Sequence, residues 1–245
     1  MGKITVIGIG PGSLEDMTPR ARRAIEAADV IVGYNTYIGL IEHIISGKEI
    51  IGTAMMQEID RCQMAVDKAL NNKEVAVISS GDAGVYGMAG LVLELLMKID
   101  ATKRPEVKII AGISAVNAAA AILGAPLMHD FAVISLSDLL TPWDLIKKRA
   151  DLVAQGDFVV ALYNPKSKKR TQHIEEIQQI MLQHKSPDTP VGIVHSVSRA
   201  EEKAVISTLG EFTKEEINMF SLVIIGNSKT YVKDDFMITP RGYHL

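Results

Sequence analysis

The chain has one cysteine, Cys62. No disulfide can form within it, and no four-cysteine zinc or iron–sulfur site can be built from it alone. A lone thiol fits a reducing compartment, and a cytoplasmic location is expected. The six histidines are His43, His129, His173, His184, His195 and His244. They form no HxxxH or HExxH pair, so no protein-held metal is expected. A basic surplus is also missing: the formal net charge is −3 and aromatic residues make up 5%. That argues against a protein held on nucleic acid by phosphate contacts and stacked bases. No apolar run approaches the ~18 residues of a membrane span. The apolar run after Lys3 is too short for a signal peptide, and Val6 stands where myristoylation wants Ser or Thr.

The chain does have ordinary globular proportions, with 47% hydrophobic and 22% charged residues over 245 positions. That length suits two domains of roughly 120 residues each. Short β-branched runs recur at 4–9, 30–32, 75–78, 107–110, 131–136, 158–163, 191–194 and 222–225. They are nearly continuous rather than alternating, as expected of strands covered on both faces in parallel sheets. Helical signals fall between them. Thr18-Pro19 and Thr141-Pro142 each place a capping residue before proline, and Thr213 with Glu216 reads as a capping box. The alternation predicts an α/β architecture. Gly124-Ala125-Pro126, after the alanine-rich helix Ala115–Leu123, is the expected boundary between domains 1–124 and 125–245.

Four loops are candidates for chemistry. Gly8-Ile9-Gly10-Pro11-Gly12 follows the first strand. Its spacing is not that of a dinucleotide fingerprint, Pro11 removes an amide, and no carboxylate ends the second strand at Gly33-Tyr34-Asn35. A plain turn and a ligand site both fit it. The stretch from Ser79 to Gly87 holds Ser80, Gly81, Asp82, Gly84, Val85 and Gly87 after another strand. It has more glycines than one turn requires, which favours a ligand loop over a plain turn capped by Asp82. In Ala111-Gly112-Ile113-Ser114-Ala115, Ser114 either caps a helix or meets a ligand. The cations Lys166, Lys168, Lys169 and Arg170 follow Tyr163-Asn164-Pro165. They are either a solvated turn or a clamp for an anion.

Together these loops resemble the tetrapyrrole methylase family. The motifs are VIGIGPG at 6–12, SGDAGVYG at 80–87, AGISA at 111–115 and NSKT at 227–230. The longer stretches HDFAVISLSDLLTPW at 129–143, DFVVALYNPKSKKR at 157–170 and TPRGY at 239–243 are similar to the C17-methyltransferase subgroup of cobalamin synthesis. The resemblance implies two α/β domains with S-adenosylmethionine in the cleft between them, and a homodimer. It implies a polycarboxylate tetrapyrrole substrate of the precorrin-3 type, cobalt-loaded or metal-free, methylated at C17 with ring contraction. Carried over position by position, the cofactor contacts are Pro11, Ser80, Gly81, Asp82, Val85, Ser114, Ala115, Asn164, Val197, Thr239 and Pro240. Lys166, Lys169, Arg170 and Arg199 become candidate partners of substrate carboxylates. Tyr34 stands where relatives that methylate uroporphyrinogen carry a carboxylate, and is a candidate polar group facing the macrocycle. His129, in the subgroup stretch, is a candidate acid or base or a structural hydrogen-bonder. Ser135, Ser137 and Asp138 share that stretch. The alternatives are an rRNA-ribose or translation-factor methyltransferase, or a non-catalytic cofactor-binding module.

Overall fold

Valine, isoleucine and alanine dominate the strand interiors because helices cover both faces of the sheets they form. The computed structural model describes residues 2–243 and divides into two units, Met1–Ala115 and Val116–Leu245.

The first unit contains β1 (Lys3–Gly8), α1 (Pro19–Ala27), β2 (Val30–Tyr34), α2 (Asn35–Gly39), β3 (Glu49–Thr53), α3 (Glu58–Leu70), β4 (Glu74–Ser79), α4 (Ala89–Met97) and β5 (Glu106–Ile110). Its sheet runs β3-β2-β4-β1-β5, with every pairing parallel. Successive side chains alternate between faces. Ile4, Val6, Val30, Val32, Val75 and Val77 pack against Cys62, Ala65 and Val66 of α3 and Val92 and Leu96 of α4. Ile7, Ile31, Ala76 and Ile78 pack on the other face against Ala21 and Ile25 of α1. Because all five strands point one way, the loops after them share one edge. Thr18 caps α1 as expected: its Oγ1 accepts from Ala21 N at 3.1 Å, and Pro19 is the first helical residue.

The second unit contains α5 (Ala115–Leu123), β6 (Gly124–Ala125), β7 (Phe131–Ser135), α6 (Trp143–Gln155), β8 (Val159–Tyr163), α7 (His173–Leu182), β9 (Pro190–His195), β10 (Lys203–Thr208), β11 (Ser221–Ile225), β12 (Tyr231–Lys233) and β13 (Phe236–Ile238). Its main sheet runs β10-β9-β11-β8-β7, and β12-β13-β6 form a small one.

Several expectations are corrected. The division falls at Ala115/Val116, not after residue 124. Val116, Ala119, Ala120 and Leu123 of α5 pack with Val159, Ala161, Val194, Leu222 and Ile224 of the second sheet. Gly192 of β9 admits this packing, since a Cβ there would collide with the Leu123 side chain. The second sheet is mixed: only β7–β8 is parallel, while β8–β11, β11–β9 and β9–β10 are antiparallel. A continuous apolar run reports burial on both faces and carries no direction. β9 and β11 are buried on both faces within an antiparallel arrangement. Helix α6 starts at Trp143 with Pro142 extended (ψ 135°) and no side-chain cap, so Thr141 does not cap it. Thr213 lies inside a 3₁₀ turn, its hydroxyl donating to Gln178 Oε1 at 3.2 Å. No α-helix follows it, because the chain leads from there into β11.

One polar cluster holds the amino end of β8. Lys185 has a side chain 2% exposed. Its Nζ donates to Phe158 O at 2.9 Å, Gly226 O at 3.1 Å and Asp157 Oδ1 at 3.3 Å. Asp157 also accepts from Ser228 N at 2.9 Å and Ser228 Oγ at 2.6 Å. Burial pushes the Lys185 ammonium down, opposed by Asp157. Burial pushes the Asp157 carboxyl up, but the Ser228 hydrogen bonds and Lys185 outweigh it and leave it below its ordinary 3.8. Lys185→Met leaves two carbonyls and a carboxylate short of a donor and is expected to cost about 2–4 kcal/mol in urea unfolding. A depressed carboxylate adds stability above its unfolded pKa that fades as pH falls through the folded one. Asp157→Asn is therefore expected to flatten the loss of stability on acidification below about pH 4.

Candidate ligand site at the carboxyl ends of the strands

In the first unit, the loops after β1, β4 and β5 meet backbone to backbone. Gly10 and Gly81 exchange both amide hydrogen bonds, at 3.1 and 2.7 Å. Gly81 has φ +67°, a conformation that favours glycine. A Cβ on Gly8 would lie 2.7 Å from both Gly112 N and Gly81 O. No side chain fits at that junction, and three glycines are its condition. Asp82 ties the loops together: Oδ1 accepts from Gly84 N at 2.8 Å and Oδ2 accepts from Gly112 N at 2.9 Å. Ser79 Oγ accepts from Met88 N at 3.2 Å, setting the approach to α4.

The structure thus brings Pro11, Ser80, Gly81, Asp82, Val85, Ser114 and Ala115 to one edge. The Ser114–Ala115 backbone lies against Gly81, with Ala115 N 3.6 Å from where a Cβ would stand. Pro11 is buried, Ser80 is half-buried, and Val85, Tyr86 and Ile113 are exposed at the rim. Tyr34 ends β2 on the same edge, its ring edge-on to Tyr37 at 5.1 Å. This edge offers backbone groups, a hydroxyl, an apolar rim and a carboxylate beneath. Such a surface suits a small ligand with both apolar area and hydrogen-bonding groups.

In the second unit, the carboxyl ends of β7 and β8 meet at Asn164, whose Nδ2 donates to Ser135 Oγ at 3.0 Å. Asn164 takes φ +51°, and Val197 is buried between Ser196 (φ +48°) and Ser198 (φ +56°) after β9. Arg170 does not stand free for a ligand as expected. Its Nη1 donates to Leu136 O at 2.7 Å and Asn164 O at 3.0 Å, and its Nε faces Asp138 at 3.6 Å. The sequence hid this because the acceptors are backbone carbonyls brought close by the β7–β8 pairing. Asp138 is held below the usual carboxylate range, first by its hydrogen bond to His173 and further by Arg170. Lys166 is half-buried and Lys169 exposed. The Arg199 guanidinium lies 5.9 Å from the Phe220 ring centroid. His195 is also buried at this end, its Nδ1 2.9 Å from Ser221 Oγ.

His129, Thr239 and Pro240 fall elsewhere. The neighbouring Asp130 O accepts from Val159 N, the first residue of β8. Thr239 Oγ1 is 2.7 Å from Thr230 Oγ1, and its amide donates to Ala125 O. His129 and Pro240 line a cavity of about 420 Å³ with Asp157, Asn227 and Arg241. The length of β8, roughly 17 Å, separates that end from Asn164. His129 precedes β7, and a residue that leads into a strand sits at its amino end.

The model of the tetrapyrrole (corrin/porphyrin) methylases matches residues 3–213. A cobalt-factor III methyltransferase of Priestia megaterium is 54% identical over 99% of this chain, which spans 45% of that relative's length. A probable cobalt-factor III C(17)-methyltransferase of Salmonella typhimurium is 51% identical over 99% of this chain and its own full length. The crystal structure of the methyltransferase CobJ superposes with a TM-score of 0.92 at 35% identity, over 98% of this chain and all of that one.

Two substitutions test the geometry. Asp82→Asn places an amide N–H against an amide N–H donor on one side and is expected to cost about 1–3 kcal/mol by urea unfolding. Arg170→Ala removes donors from two carbonyls and is expected to cost about 2–3 kcal/mol, whereas Lys169→Ala stays within about 0.5 kcal/mol.

Proposed function

The chain belongs to the tetrapyrrole (corrin/porphyrin) methylase family, and from that membership we propose that it methylates C17 of cobalt-factor III or the matching cobalt-precorrin-3, with contraction of the macrocycle. The carrying observation is the agreement with a relative of that name over the full length of both chains. The P. megaterium and CobJ likenesses point the same way. They favour a tetrapyrrole over a ribose or a protein side chain as acceptor.

The methyl donor in this reading is S-adenosylmethionine, whose sulfonium supplies an electrophilic methyl and keeps the electron pair as S-adenosylhomocysteine forms. The edge built by Gly8, Gly81 and Gly112 fits such a group. Val85, Tyr86 and Ile113 offer exposed apolar surface there, Ser80 offers a hydroxyl, and no lysine or arginine lies in the three loops. Pro11, Ser80, Gly81, Asp82, Val85, Ser114 and Ala115 hold the donor in this proposal. Asp82 acts by fixing two loops rather than by reacting. Orientation alone can supply up to about 7–11 kcal/mol of acceleration in favourable cases, so the chain needs no nucleophile of its own. Tyr34, on the same edge, is the polar group placed toward the acceptor. Lys166, Lys169 and Arg199 are assigned to the substrate's carboxylates. His129, Thr239 and Pro240 are left out of the site because they lie at the other end of β8. A homodimer and a cytoplasmic setting complete the reading.

The test is incubation with methyl-labelled S-adenosylmethionine and cobalt-factor III, followed by mass measurement. A product heavier by one methyl and labelled at C17 is expected. Calorimetry with S-adenosylhomocysteine should show saturable binding. Gly112→Ala, which drives a methyl into the Gly8–Gly81 junction, should weaken it about tenfold or more, a loss of at least ~1.4 kcal/mol.

A further inference from the structure

Buried hydrogen-bonding atoms without a partner are rare in folded proteins. Among the described residues, three side-chain atoms are in that state: Thr53 Oγ1, Arg61 Nε and Arg104 Nε. Thr53 and Arg61 belong to one short passage, from β3 into α3. Thr53 is the last residue of β3, 8% exposed, in register with Tyr34 of β2. Its strand ends at the same edge as the glycine loops, two strands from β4, or about 10 Å at the usual strand spacing.

Arg61 occupies the sheet-facing stripe of α3 together with Cys62, Ala65, Val66 and Ala69, where an apolar residue would be expected. Since α3 carries the chain from the end of one parallel strand back to the start of another, its first turns lie at the carboxyl edge of the sheet. The Arg61 side chain is only 4% exposed, and among the described residues its ion pair is to Glu58 Oε1 at 3.3 Å. That same oxygen accepts from Met56 N at 3.2 Å. Glu58 thus divides one oxygen between two donors, and the buried Nε of the guanidinium is left without a partner. Cys62 supplies no anion: burial pushes its thiol up to about 11, with Arg61 opposing and Glu58 adding to the rise. A buried guanidinium in this condition is costly until an acceptor completes it.

We propose that Arg61 and Thr53 form a receptor for one carboxylate of the substrate, on the β2–β3 side of the edge whose β4–β1–β5 side holds the methyl donor. The proposal rests on the tetrapyrrole reading above and names substrate-binding residues for it. The guanidinium fork matches a carboxylate in two parallel bonds, and the Thr53 hydroxyl adds a third. Glu58 orients the fork and, being 40% exposed, keeps its own contact with water.

Arg61→Gln, Arg61→Lys and Thr53→Val are compared with the wild-type chain for KM toward cobalt-factor III, kcat, and S-adenosylhomocysteine affinity by calorimetry. KM is expected to rise about tenfold or more in Arg61→Gln and about threefold or more in Thr53→Val, with kcat and donor affinity near wild type. Arg61→Lys, which keeps the charge without the fork, should recover only part of the loss. If Arg61→Gln does not fold, Thr53→Val, which keeps the side-chain shape, decides. Unchanged KM in Thr53→Val and in any folded Arg61 variant overturns the receptor while methyl transfer stands. A wild-type chain that neither binds nor methylates the tetrapyrrole overturns the function and the receptor together.

Discussion

The first unit depends on a contact that admits no side chain. Gly8, Gly81 and Gly112 bring three loops so close that one methyl on Gly8 would lie 2.7 Å from two backbone atoms. The approach is possible because β1, β4 and β5 are neighbours and all end at one edge. It is held by the Asp82 carboxylate, which accepts amides from two of the loops. The edge is therefore closed without bulky groups, and exposed parts of the loops such as Val85, Tyr86 and Ile113 remain at its rim. A carboxylate in this role is a fastener and moves no proton.

The second unit uses charge differently. Arg170 has the chemistry of a carboxylate receptor, yet it binds the carbonyls of Leu136 and Asn164 and faces Asp138. It bridges the ends of β7 and β8 at Asn164, which takes φ +51°. Arg61 is the opposite case. It sits on a helix face that reads as core, but its buried Nε lacks an acceptor. A cation's function follows from the acceptors around it, and those are set by which strands pair.

Much of the first unit was legible beforehand. Glycine-rich loops after the strands marked where the backbone would turn tightly or approach closely, which a plain turn and a ligand loop both require. Thr18-Pro19 predicted the start of α1 because a cap and a fixed φ act over three residues. The apparent capping box at Thr213 failed because the same residue types serve a 3₁₀ turn once Gln178 is beside it. Strand direction in the second unit was not legible, since burial on both faces looks the same in parallel and antiparallel sheets.

The sequence by itself determined what acts over short range: the alternation of strands and helices, the glycine positions, the lone thiol and the family likeness in the loops. Tertiary structure decided what depends on neighbours distant in the chain. It assigned α5 to the second unit through its packing on β8, β9 and β11. It set Thr239 and His129 a strand's length from Asn164, and it gave Arg170 Nη1 two carbonyl acceptors while leaving Arg61 Nε without one. Hydrogen-bond partners are chosen by spatial proximity, and spacing along a chain does not encode it.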